Sequence, residues 1–542
     1  MRLLFGLLAA TALTACTQAT VNSTEITEPV KAAVVPAAIT SNASASTWYN
    51  TGASDIAAAN AAMASINTKR GSAKNIILFV GDGMGVSTVS AARIRDGQIK
   101  GGQGEENQLS FDKFPFTGLS KTYNVDAQTP DSAGTMTAMM TGVKTNIGVI
   151  GISRPETRND CAAAKAVEIP SALQHAELMG KMTGIISTAR ITHATPAATY
   201  AHSANRGWED ISDMPKAAIE AGCIDIAAQF VNLPDRLKAA DASYDDIGID
   251  VAFGGGRRHF LPKDAAFNSS DADSDIEGDR TDGRDLTKEW VEKTGGQYVM
   301  DQAGFDTITT TPVLGLFSES HMRYDSDRSK DNRGEPSLAQ MTAKAIDLLD
   351  DNENGFFLMV EAGRIDHGHH AGNAYNALQD TISLSEAVDA ARQATSDKDT
   401  LIIVTADHSH VMTFAGYPKR GNPILGPVVG VGKDTPNLAD DGKPYTTLSY
   451  ANGRGFGDLG DSTDADALYD VDINAGRQLT LDVDTTKPGF RQEALVPLNS
   501  ETHGGEDVAI YASGPGAHLV SGVHEQNVIF HIMNHAGGLT GE

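Results

Sequence analysis

Short runs of apolar residues recur along the chain and are separated by longer amphipathic stretches. Five runs have the length of buried β-strands: Ile76–Val80, Thr183–Ser187, Phe356–Val360, Leu401–Thr405 and Val508–Tyr511. Stretches with a helical period lie between them, such as Ser337–Asp350 and Ala377–Ala391. This alternation predicts an α/β fold with a mostly parallel central sheet and helices on both faces.

One long segment departs from this alternation. From about Thr413 to Gln492 the chain is rich in glycine, aspartate and threonine and has little apolar periodicity. We expect it to form an inserted subdomain on the surface of a main domain that spans residues 71–542.

The first residues have the pattern of a secretory signal. Arg2 precedes the apolar run Leu3–Ala10, and small residues lead to Cys16. This pattern resembles the bacterial lipoprotein signal, which implies removal of residues 1–15 and lipidation of Cys16. A plain signal peptide with a chance cysteine is the alternative. Residues 16–70 would then form a tether and a first docking segment.

Two further cysteines, Cys161 and Cys223, remain in a chain with an export signal. Exported proteins fold in an oxidising compartment, so a leftover pair favours a disulfide. The sequence alone does not place the two residues in contact.

The formal net charge of −27 restricts the classes of ligand. A protein that reads nucleic acid needs a basic surface, so the charge argues against that function. An acidic protein also repels anionic ligands at long range, so any such ligand requires local positive charge. We expect the acidic segments Asp271–Asp285 and Asp458–Asp484 to be solvated surface rather than metal sites.

Acidic residues and histidines follow several predicted strands at the point where each ends. Asp82 follows the first run, and Glu361 follows the third. Asp407 and His408 come just after the fourth. In open α/β sheets, ligands bind outside the carboxyl ends of the strands. The sequence therefore predicts that three strands deliver these side chains to one edge of the sheet.

Three groups of acids and histidines have the composition of a zinc site. Within Glu361–His370, a helix would place Asp366 and His370 on one face as a zinc half-site. Asp407–His410 and Glu501–Asp507 are two more such groups. Each group alone could be a charged, solvated segment, but three of them near strand ends favour metal binding.

Ser132 lies at the predicted start of a helix that runs from about Asp131 to Met140. Unpaired N–H groups at a helix N-terminus favour a nearby anion, whereas helix capping by the serine is the ordinary alternative. A serine hydroxyl is a weak nucleophile and needs a base or a metal. No Gly-x-Ser-x-Gly motif surrounds Ser132, which argues against a Ser-His-Asp hydrolase and favours activation by a metal.

The chain resembles the alkaline phosphatases, and among them the animal-type branch. The similarity extends from about Ala73 to the C-terminus and weakens in the acidic loops and the insertion. Six motifs in the family's order carry it: Asn75–Gly85 (NIILFVGDGMG), Asp131–Lys144 (DSAGTMTAMMTGVK), Thr188–Trp208 (TARITHATPAATYAHSANRGW), Phe356–His370 (FFLMVEAGRIDHGHH), Thr405–Tyr417 (TADHSHVMTFAGY) and Glu501–Ala512.

The resemblance implies a role for each matching position. Ser132 corresponds to the serine that becomes phosphorylated, and Arg206 to the arginine that binds the phosphate. The implied ligands are Asp366, His370 and His503 for one zinc; Asp82, Asp407 and His408 for a second zinc; and Asp82, Thr195 and Glu361 for a magnesium. Supporting positions are matched by His410, which orients a ligand carboxylate, and by His193 and His367, which are histidines in the animal enzymes.

The implied activity is hydrolysis of small phosphate monoesters. Ser132 would attack phosphorus to give a phosphoserine, and a zinc-bound hydroxide would cleave it and release inorganic phosphate. Arg206 would pair with two non-bridging phosphoryl oxygens, and with the zinc ions it would supply the local positive charge. These contacts address the phosphoryl group rather than the alcohol, so broad specificity is expected.

The resemblance also implies properties of the whole protein. The predicted insertion corresponds to the family's crown, which helps to form a homodimer interface, and Cys161 and Cys223 match a disulfide of the animal enzymes. Phe317 and Glu335 match two calcium ligands, but Ser318 stands where an acid is expected, so we do not expect a strong calcium site. The protein would be exported to the periplasm or cell surface and lipid-anchored to a bacterial membrane.

Two alternatives remain. A phosphodiesterase, nucleotide pyrophosphatase or sulfatase of the same superfamily would share the zinc scaffold, but Asp131-Ser132-Ala133 lacks the proline and arginine of the sulfatase motif. A non-catalytic lipoprotein that binds zinc or phosphate would be expected to lose the nucleophile or Arg206, and both are present. The sequence therefore favours the monoesterase.

Overall fold

The computed structural model describes residues 72–154 and 159–540. The predicted signal peptide, Cys16 and the tether lie outside the described residues. Within the two described ranges, no helix has the length and apolar character needed to cross a membrane.

The predicted strands are present in the structure. In chain order the strands are β1 (Asn75–Gly81), β2 (Phe116–Lys121), β3 (Met182–Arg190), β4 (Val251–Gly255), β5 (Gln297–Val299), β6 (Val313–Leu316), β7 (Phe356–Ala362), β8 (Thr400–Ala406), β9 (Ser409–His410), β10 (Met412–Phe414), β11 (Leu448–Gly453), β12 (Gly457–Asp458), β13 (Phe490–Arg491), β14 (Ala494–Pro497), β15 (His503–Gly504), β16 (Val508–Ser513) and β17 (Gly522–Glu525). The five apolar runs are confirmed as β1, β3, β7, β8 and β16.

Ten of these strands form one sheet, in the order β17-β2-β16-β8-β1-β7-β3-β4-β6-β5. Neighbouring strands are parallel except where β16 is involved, because β16 runs antiparallel to both β2 and β8. The mostly parallel sheet is confirmed, and its one reversed strand brings the C-terminal part of the chain beside β8.

Helices connect most of these strands. In chain order they are α1 (Val86–Ile99), α2 (Ser132–Thr141), α3 (Cys161–Lys165), α4 (Ala172–Leu178), α5 (Ala194–Ala197), α6 (Lys216–Glu220), α7 (Ile226–Val231), α8 (Leu233–Ala240), α9 (Leu286–Thr294), α10 (Gln302–Asp306), α11 (Leu338–Leu349), α12 (Arg364–His370), α13 (Ala374–Ala394) and α14 (Val528–Gly537). The two predicted amphipathic stretches are α11 and α13. Ser337 begins α11 with a capping box: its hydroxyl accepts the Gln340 N–H at 3.2 Å, and the Gln340 side chain accepts the Ser337 N–H at 2.8 Å.

Alternate residues of β1 face opposite sides of the sheet, and each side has its own apolar core. Ile76, Leu78 and Val80 pack with α2 and α14 on one face. Ile77 and Phe79 pack with α1, α11 and α13 on the other. Because both faces are covered, the strand is apolar throughout rather than alternating. The predicted helix layers on both faces are confirmed.

The predicted insertion carries small sheets of its own. One has three strands in the order β10-β11-β14, and the other is the pair β12-β13. Strand β14 pairs with β11 beyond the expected end of the insertion at Gln492. The role of this region in an interface between two chains stays a prediction.

Cys161 and Cys223 form a disulfide, with their Cα atoms 5.7 Å apart. Cys161 is the first residue of α3, and Cys223 follows α6 after a short turn. The predicted pairing is confirmed.

The expectation that Asp271–Asp285 is solvated surface is wrong in part. Asp271 pairs with Arg257 at 2.9 Å, and Asp282 pairs with Arg280 at 2.6 Å. Both arginine side chains are buried. These aspartates therefore neutralise buried cations, which need a paired charge once water is removed.

Candidate active site and metal centre

The carboxyl ends of three neighbouring strands bring acidic residues together. The register aligns the last residue of β1 with the last residues of both β7 and β8. Asp82 directly follows β1, Asp407 directly follows β8, and Glu361 is the last residue but one of β7. The structure places the three side chains at one edge of the sheet, and all three are fully buried.

Ser132 begins helix α2 and faces this edge. Its hydroxyl oxygen lies 3.1 Å from His408 Nε2 and 3.4 Å from Asp82 Oδ1. The same His408 nitrogen lies 3.4 Å from Asp82 Oδ1 and 3.4 Å from Asp407 Oδ2. Two of the three residues predicted to hold the second zinc therefore contact the predicted nucleophile, and the third, Asp407, contacts His408.

Asp131 caps helix α2. Its carboxylate accepts the Gly134 N–H at 3.1 Å and the Gly148 N–H at 3.0 Å. The alternative in which Ser132 itself is the cap is therefore wrong. Because the neighbouring aspartate satisfies the helix N-terminus, the serine hydroxyl faces the acids instead.

Gly83 allows the Asp82 loop to approach its neighbours closely. Its N–H donates to Asp407 Oδ1 at 3.0 Å. Its φ is +68°, and a Cβ atom there would lie 2.3 Å from the His410 ring. Glycine is therefore required both by the backbone conformation and by the space available.

His370 and His503 direct the same ring nitrogen toward one another. Each Nδ1 contacts a backbone carbonyl, that of Glu501 at 2.7 Å for His370 and that of Pro130 at 2.8 Å for His503. The two Nε2 atoms are 3.1 Å apart, and they lie 3.3 and 3.4 Å from Asp366 Oδ1. Burial lowers the pKa of His370, which favours its neutral form. Because the Nδ1–H group of each histidine donates to a carbonyl, the Nε2 atom of each carries a free lone pair. The two lone pairs and the Asp366 carboxylate point to one place, which fits a cation between them.

His410 bridges two carboxylates beside this group. Its Nε2 lies 2.7 Å from Asp366 Oδ1, and its Nδ1 lies 2.6 Å from Glu501 Oε2. Burial opposes a charge on the ring, but the two carboxylates outweigh it and raise the pKa of His410 to about 10. The protonated ring donates to both carboxylates and so holds Asp366 in place.

Asp82, Thr195 and Glu361 leave buried polar atoms without partners. Among the described residues, Asp82 Oδ2, Thr195 Oγ1 and Glu361 Oε1 accept and donate no hydrogen bond. Burial raises the pKa of Glu361 to about 7, and the charge of Asp407 acts in the same direction. Unpaired oxygen atoms among buried carboxylates fit a divalent cation that prefers oxygen ligands.

Arg206 lies beside the serine and is held from two sides. Its Nη1 donates to Asp131 Oδ2 at 3.1 Å, and its Nη2 donates to His193 Nε2 at 3.1 Å. The side chain is 28% exposed, so an anion from solvent can reach it. Asp131 therefore supports both the helix that carries Ser132 and the arginine.

His193 and His367, the two predicted supporting histidines, lie beside a third imidazole. The ring centre of His321 is 4.0 Å from that of His367 and 5.5 Å from that of His193. Sequence reasoning missed His321, which lies outside the six motifs that carry the family resemblance. It also assigned no role to Asp131 or Glu501, although both stand inside the quoted motifs.

The positions that match animal calcium ligands, Phe317, Ser318 and Glu335, are all buried. Glu335 Oε1 accepts the Arg323 N–H at 2.8 Å. Burial raises the pKa of Glu335 to about 8. Calcium binds through several oxygen ligands, and these three positions supply only one carboxylate, with a serine where an acid is expected, so we assign no calcium here.

Residues 73–539 match the family model described as alkaline phosphatase. The chain is 46% identical over 477 residues to the tissue-nonspecific alkaline phosphatase isozyme of Gallus gallus, which covers 86% of this chain and 84% of that protein. It is 44% identical over 471 residues to the alkaline phosphatase of Gadus morhua, with coverage of 86% and 91%. The crystal structure of Thermus thermophilus alkaline phosphatase has the same fold, with a TM-score of 0.60, 22% identity and coverage of 88% and 94%.

Proposed function

The chain belongs to the alkaline phosphatase family of metal-dependent phosphomonoesterases, and on this premise we propose that Ser132 is the nucleophile. The observation that supports this role is the position of its hydroxyl, 3.1 Å from His408 Nε2 at the edge that also holds Asp82 and Asp407. Histidine and aspartate are common metal ligands. A hydroxyl beside them is activated by the positive charge of a bound cation rather than by a neighbouring general base.

Three groups of side chains fit the cations of such an enzyme. Nitrogen donors suit zinc, and oxygen donors suit magnesium. We assign Asp366, His370 and His503 to a first zinc, Asp82, Asp407 and His408 to a second zinc, and Asp82, Thr195 and Glu361 to a magnesium. When bound, these cations supply Lewis-acid charge that favours ionised oxygen nucleophiles and neutralises phosphoryl oxygens.

The side chains of the site then have separate tasks. Ser132 Oγ loses its proton and forms a bond to phosphorus, the bond from phosphorus to the ester oxygen breaks, and the alcohol leaves with a proton. Water then cleaves the phosphoserine, which restores the hydroxyl and releases inorganic phosphate. Arg206, held by Asp131 and His193, directs its guanidinium to two phosphoryl oxygens. These contacts address the phosphoryl group alone, so the alcohol can vary.

Ser132→Ala tests this proposal. We expect kcat for p-nitrophenyl phosphate to fall by roughly 10⁴–10⁶-fold, while zinc content and phosphate binding are kept. Acid quenching with labelled substrate should trap a phosphoenzyme in the wild type and none in the variant. Thr141→Val, at the other end of α2, is the matched control and should keep its activity. Substantial turnover by Ser132→Ala would refute the covalent route.

We further propose that two chains associate through the insertion, since enzymes of this family are commonly dimeric. Large apolar side chains are exposed on the insertion and on β14, the strand that pairs with it: Tyr417 is 94%, Val431 85% and Leu495 77% accessible. Burial of such side chains against a second chain would remove apolar surface from water. Light scattering should show a dimer that Leu495→Glu converts to a monomer. The matched control is Val523→Glu, an exposed apolar residue on β17 outside the insertion, which should stay dimeric. A monomeric wild type would contradict the proposal.

Enzymes of this family are exported, and we propose that this one is held at a bacterial membrane by lipid on Cys16. The support is the sequence pattern around that cysteine. Cys16→Ser should move active enzyme from the membrane fraction to the soluble fraction. An unchanged membrane fraction would discard the anchor.

A further inference from the structure

His369 is a buried histidine that the proposed reaction does not use. It lies in α12 next to His370 and three residues after Asp366. Its side chain is fully buried. A buried imidazole without a solvent contact needs its two nitrogens satisfied by the protein.

Both nitrogens of His369 are held, and by different parts of the chain. Nδ1 lies 2.8 Å from the Tyr450 hydroxyl, and Nε2 lies 2.9 Å from the Thr88 hydroxyl. Thr88 is in α1, directly after the loop that carries Asp82, and Tyr450 is in β11 of the insertion. Each hydroxyl can donate or accept, so a neutral ring with one N–H and one lone pair is satisfied at both ends.

The flat face of His369 rests on His410. The two ring centres are 4.7 Å apart, and the planes differ by 28°. His410 also contacts the rings of His370, His408 and His503, at angles of 87°, 67° and 75°. Among the ring contacts of His410 in the described residues, only the one with His369 is close to parallel.

This stacking supplies a restraint that the hydrogen bonds of His410 lack. Its two nitrogens bind carboxylates at opposite ends of the ring, at 2.7 Å for Asp366 and 2.6 Å for Glu501. A ring held only by these two contacts can rotate about the line that joins the two acceptor oxygens. Because the bond directions at Nδ1 and Nε2 diverge from that line, the rotation changes the angle at which Nε2 meets Asp366. A flat partner on one face stops the rotation.

We propose that His369 is a positioning residue: fixed by Thr88 and Tyr450, it sets the plane of His410 and so aims Asp366 at the first metal. The inference rests on the assignment of Asp366 as a ligand under the proposed function. Side chains that orient metal ligands typically account for about 10–100-fold in metal affinity. Since Tyr450 belongs to β11, the insertion contributes to the affinity of the first metal.

The test compares Tyr450→Phe with Tyr445→Phe. Both tyrosines line one cavity of about 410 Å³ in the insertion, so the two variants lose the same atom from the same region. Of these two tyrosine hydroxyls, it is the Tyr450 hydroxyl that is hydrogen-bonded to His369. The apo-enzyme is titrated with zinc against a chromophoric chelator, and Asp366→Asn identifies which binding step belongs to the first site.

We expect Tyr450→Phe to weaken the Asp366-dependent step about tenfold, at the lower end of the range for such residues, and to leave the other step unchanged. Thr88→Val should act in the same direction, and Tyr445→Phe should leave both steps as in the wild type. A role in folding alone would weaken all steps together or lower the melting temperature of the apo-protein.

Three results would overturn the inference. If Tyr450→Phe and Thr88→Val keep the wild-type affinity while Asp366→Asn loses one step, His369 does not position the ligand, and the ligand assignment stands. If both tyrosine variants weaken the step equally, the effect belongs to the insertion in general. If Asp366→Asn loses no zinc, the ligand assignment fails, and the positioning role fails with it.

Discussion

Buried carboxyl groups gather at both ends of the central sheet, and burial raises pKa values at each. At the carboxyl ends of the strands, the pKa of Glu361 is raised to about 7. At the opposite ends, beside the starts of β3 and β4, the pKa of Glu177 is raised to about 8 and that of Asp250 to about 7. The direction and main cause are the same, yet only the first group has the features of an active site.

The difference lies in the partners of the oxygen atoms. Glu177 accepts hydrogen bonds from the hydroxyls of Thr183 and Tyr244, the latter at 2.6 Å, and Asp250 accepts the Thr183 N–H at 2.8 Å. Asp82 Oδ2 and Glu361 Oε1 have no partner among the described residues. A raised pKa therefore reports burial, whereas unpaired oxygens and converging imidazole lone pairs report a place for cations.

Asp82→Asn provides the strongest test of this contrast, because Asp82 serves two proposed metals. We expect kcat/KM to fall by roughly 10³-fold, at the upper end of what one electrostatic contact contributes. In the metal-free protein the same change should raise the melting temperature, since it removes the repulsion between Asp82 and Asp407 that accompanies burial in raising the Asp82 pKa. Activity and melting are measured with and without EDTA.

The experiment depends on two opposite changes: activity should fall, and the melting temperature of the metal-free protein should rise. Asp245→Asn, at an exposed ion pair with Lys238, is the control and should change neither quantity by much. If Asp82→Asn destabilises the metal-free protein as well, Asp82 is a structural acid like Glu177, and the distinction between the two groups fails.

The strands that position the site could be predicted because each is buried on both faces. β1, β7 and β8 are continuous apolar runs, and the acids stand where those runs stop. Strands that escaped prediction lack this signal: β2 alternates, and β4 is short and ends in two glycines. The reversed direction of β16 also left no trace in its sequence, because pairing depends on the chain around it.

The ligand types could be predicted from composition and spacing, but the side chains that hold them could not. Asp131 stands beside Ser132, yet its bond to Arg206 joins residues 75 positions apart. Glu501 reaches His410 across 91 positions, and Tyr450 reaches His369 across 81. Such partners are chosen by tertiary packing, which no local pattern records.

Arg206→Ala tests the positive charge that the protein itself contributes to the site. We expect kcat/KM to fall by about 10²–10³-fold and phosphate inhibition to weaken, because one charged contact to the phosphoryl group is lost. Stability should change little, since Asp131 still accepts the N–H groups of Gly134 and Gly148. Steady-state kinetics with inorganic phosphate as inhibitor measure both effects.

Arg236→Ala is the matched control for that variant. Arg236 pairs with Glu168 at 2.7 Å on the surface, far in sequence from the serine, and its loss should leave kcat/KM unchanged. Phosphate inhibition that is as strong in Arg206→Ala as in the wild type would show that the anion is held by other groups.

Glu177→Gln probes the hydrogen-bonded group and should have the smallest effect on activity, because its effect is confined to stability. The folded state holds the Glu177 proton up to a pKa of about 8, whereas an exposed glutamate loses it near 4.5. The stability that the protonated form contributes is therefore complete below about pH 4.5 and is lost as the pH rises toward 8. Glutamine cannot ionise, so the variant should gain stability relative to the wild type across that window, by at most about 5 kcal/mol. Melting temperatures from pH 5 to pH 9 measure the gain, with Glu220→Gln, an exposed glutamate on α6, as the control that should show none.

Activity of Glu177→Gln at a fixed pH and its response to EDTA should match the wild type. If the melting temperatures of Glu177→Gln and the wild type change with pH in the same way, the buried proton makes no difference to folding. Hydrogen bonds alone would then explain why this group offers no place for a cation.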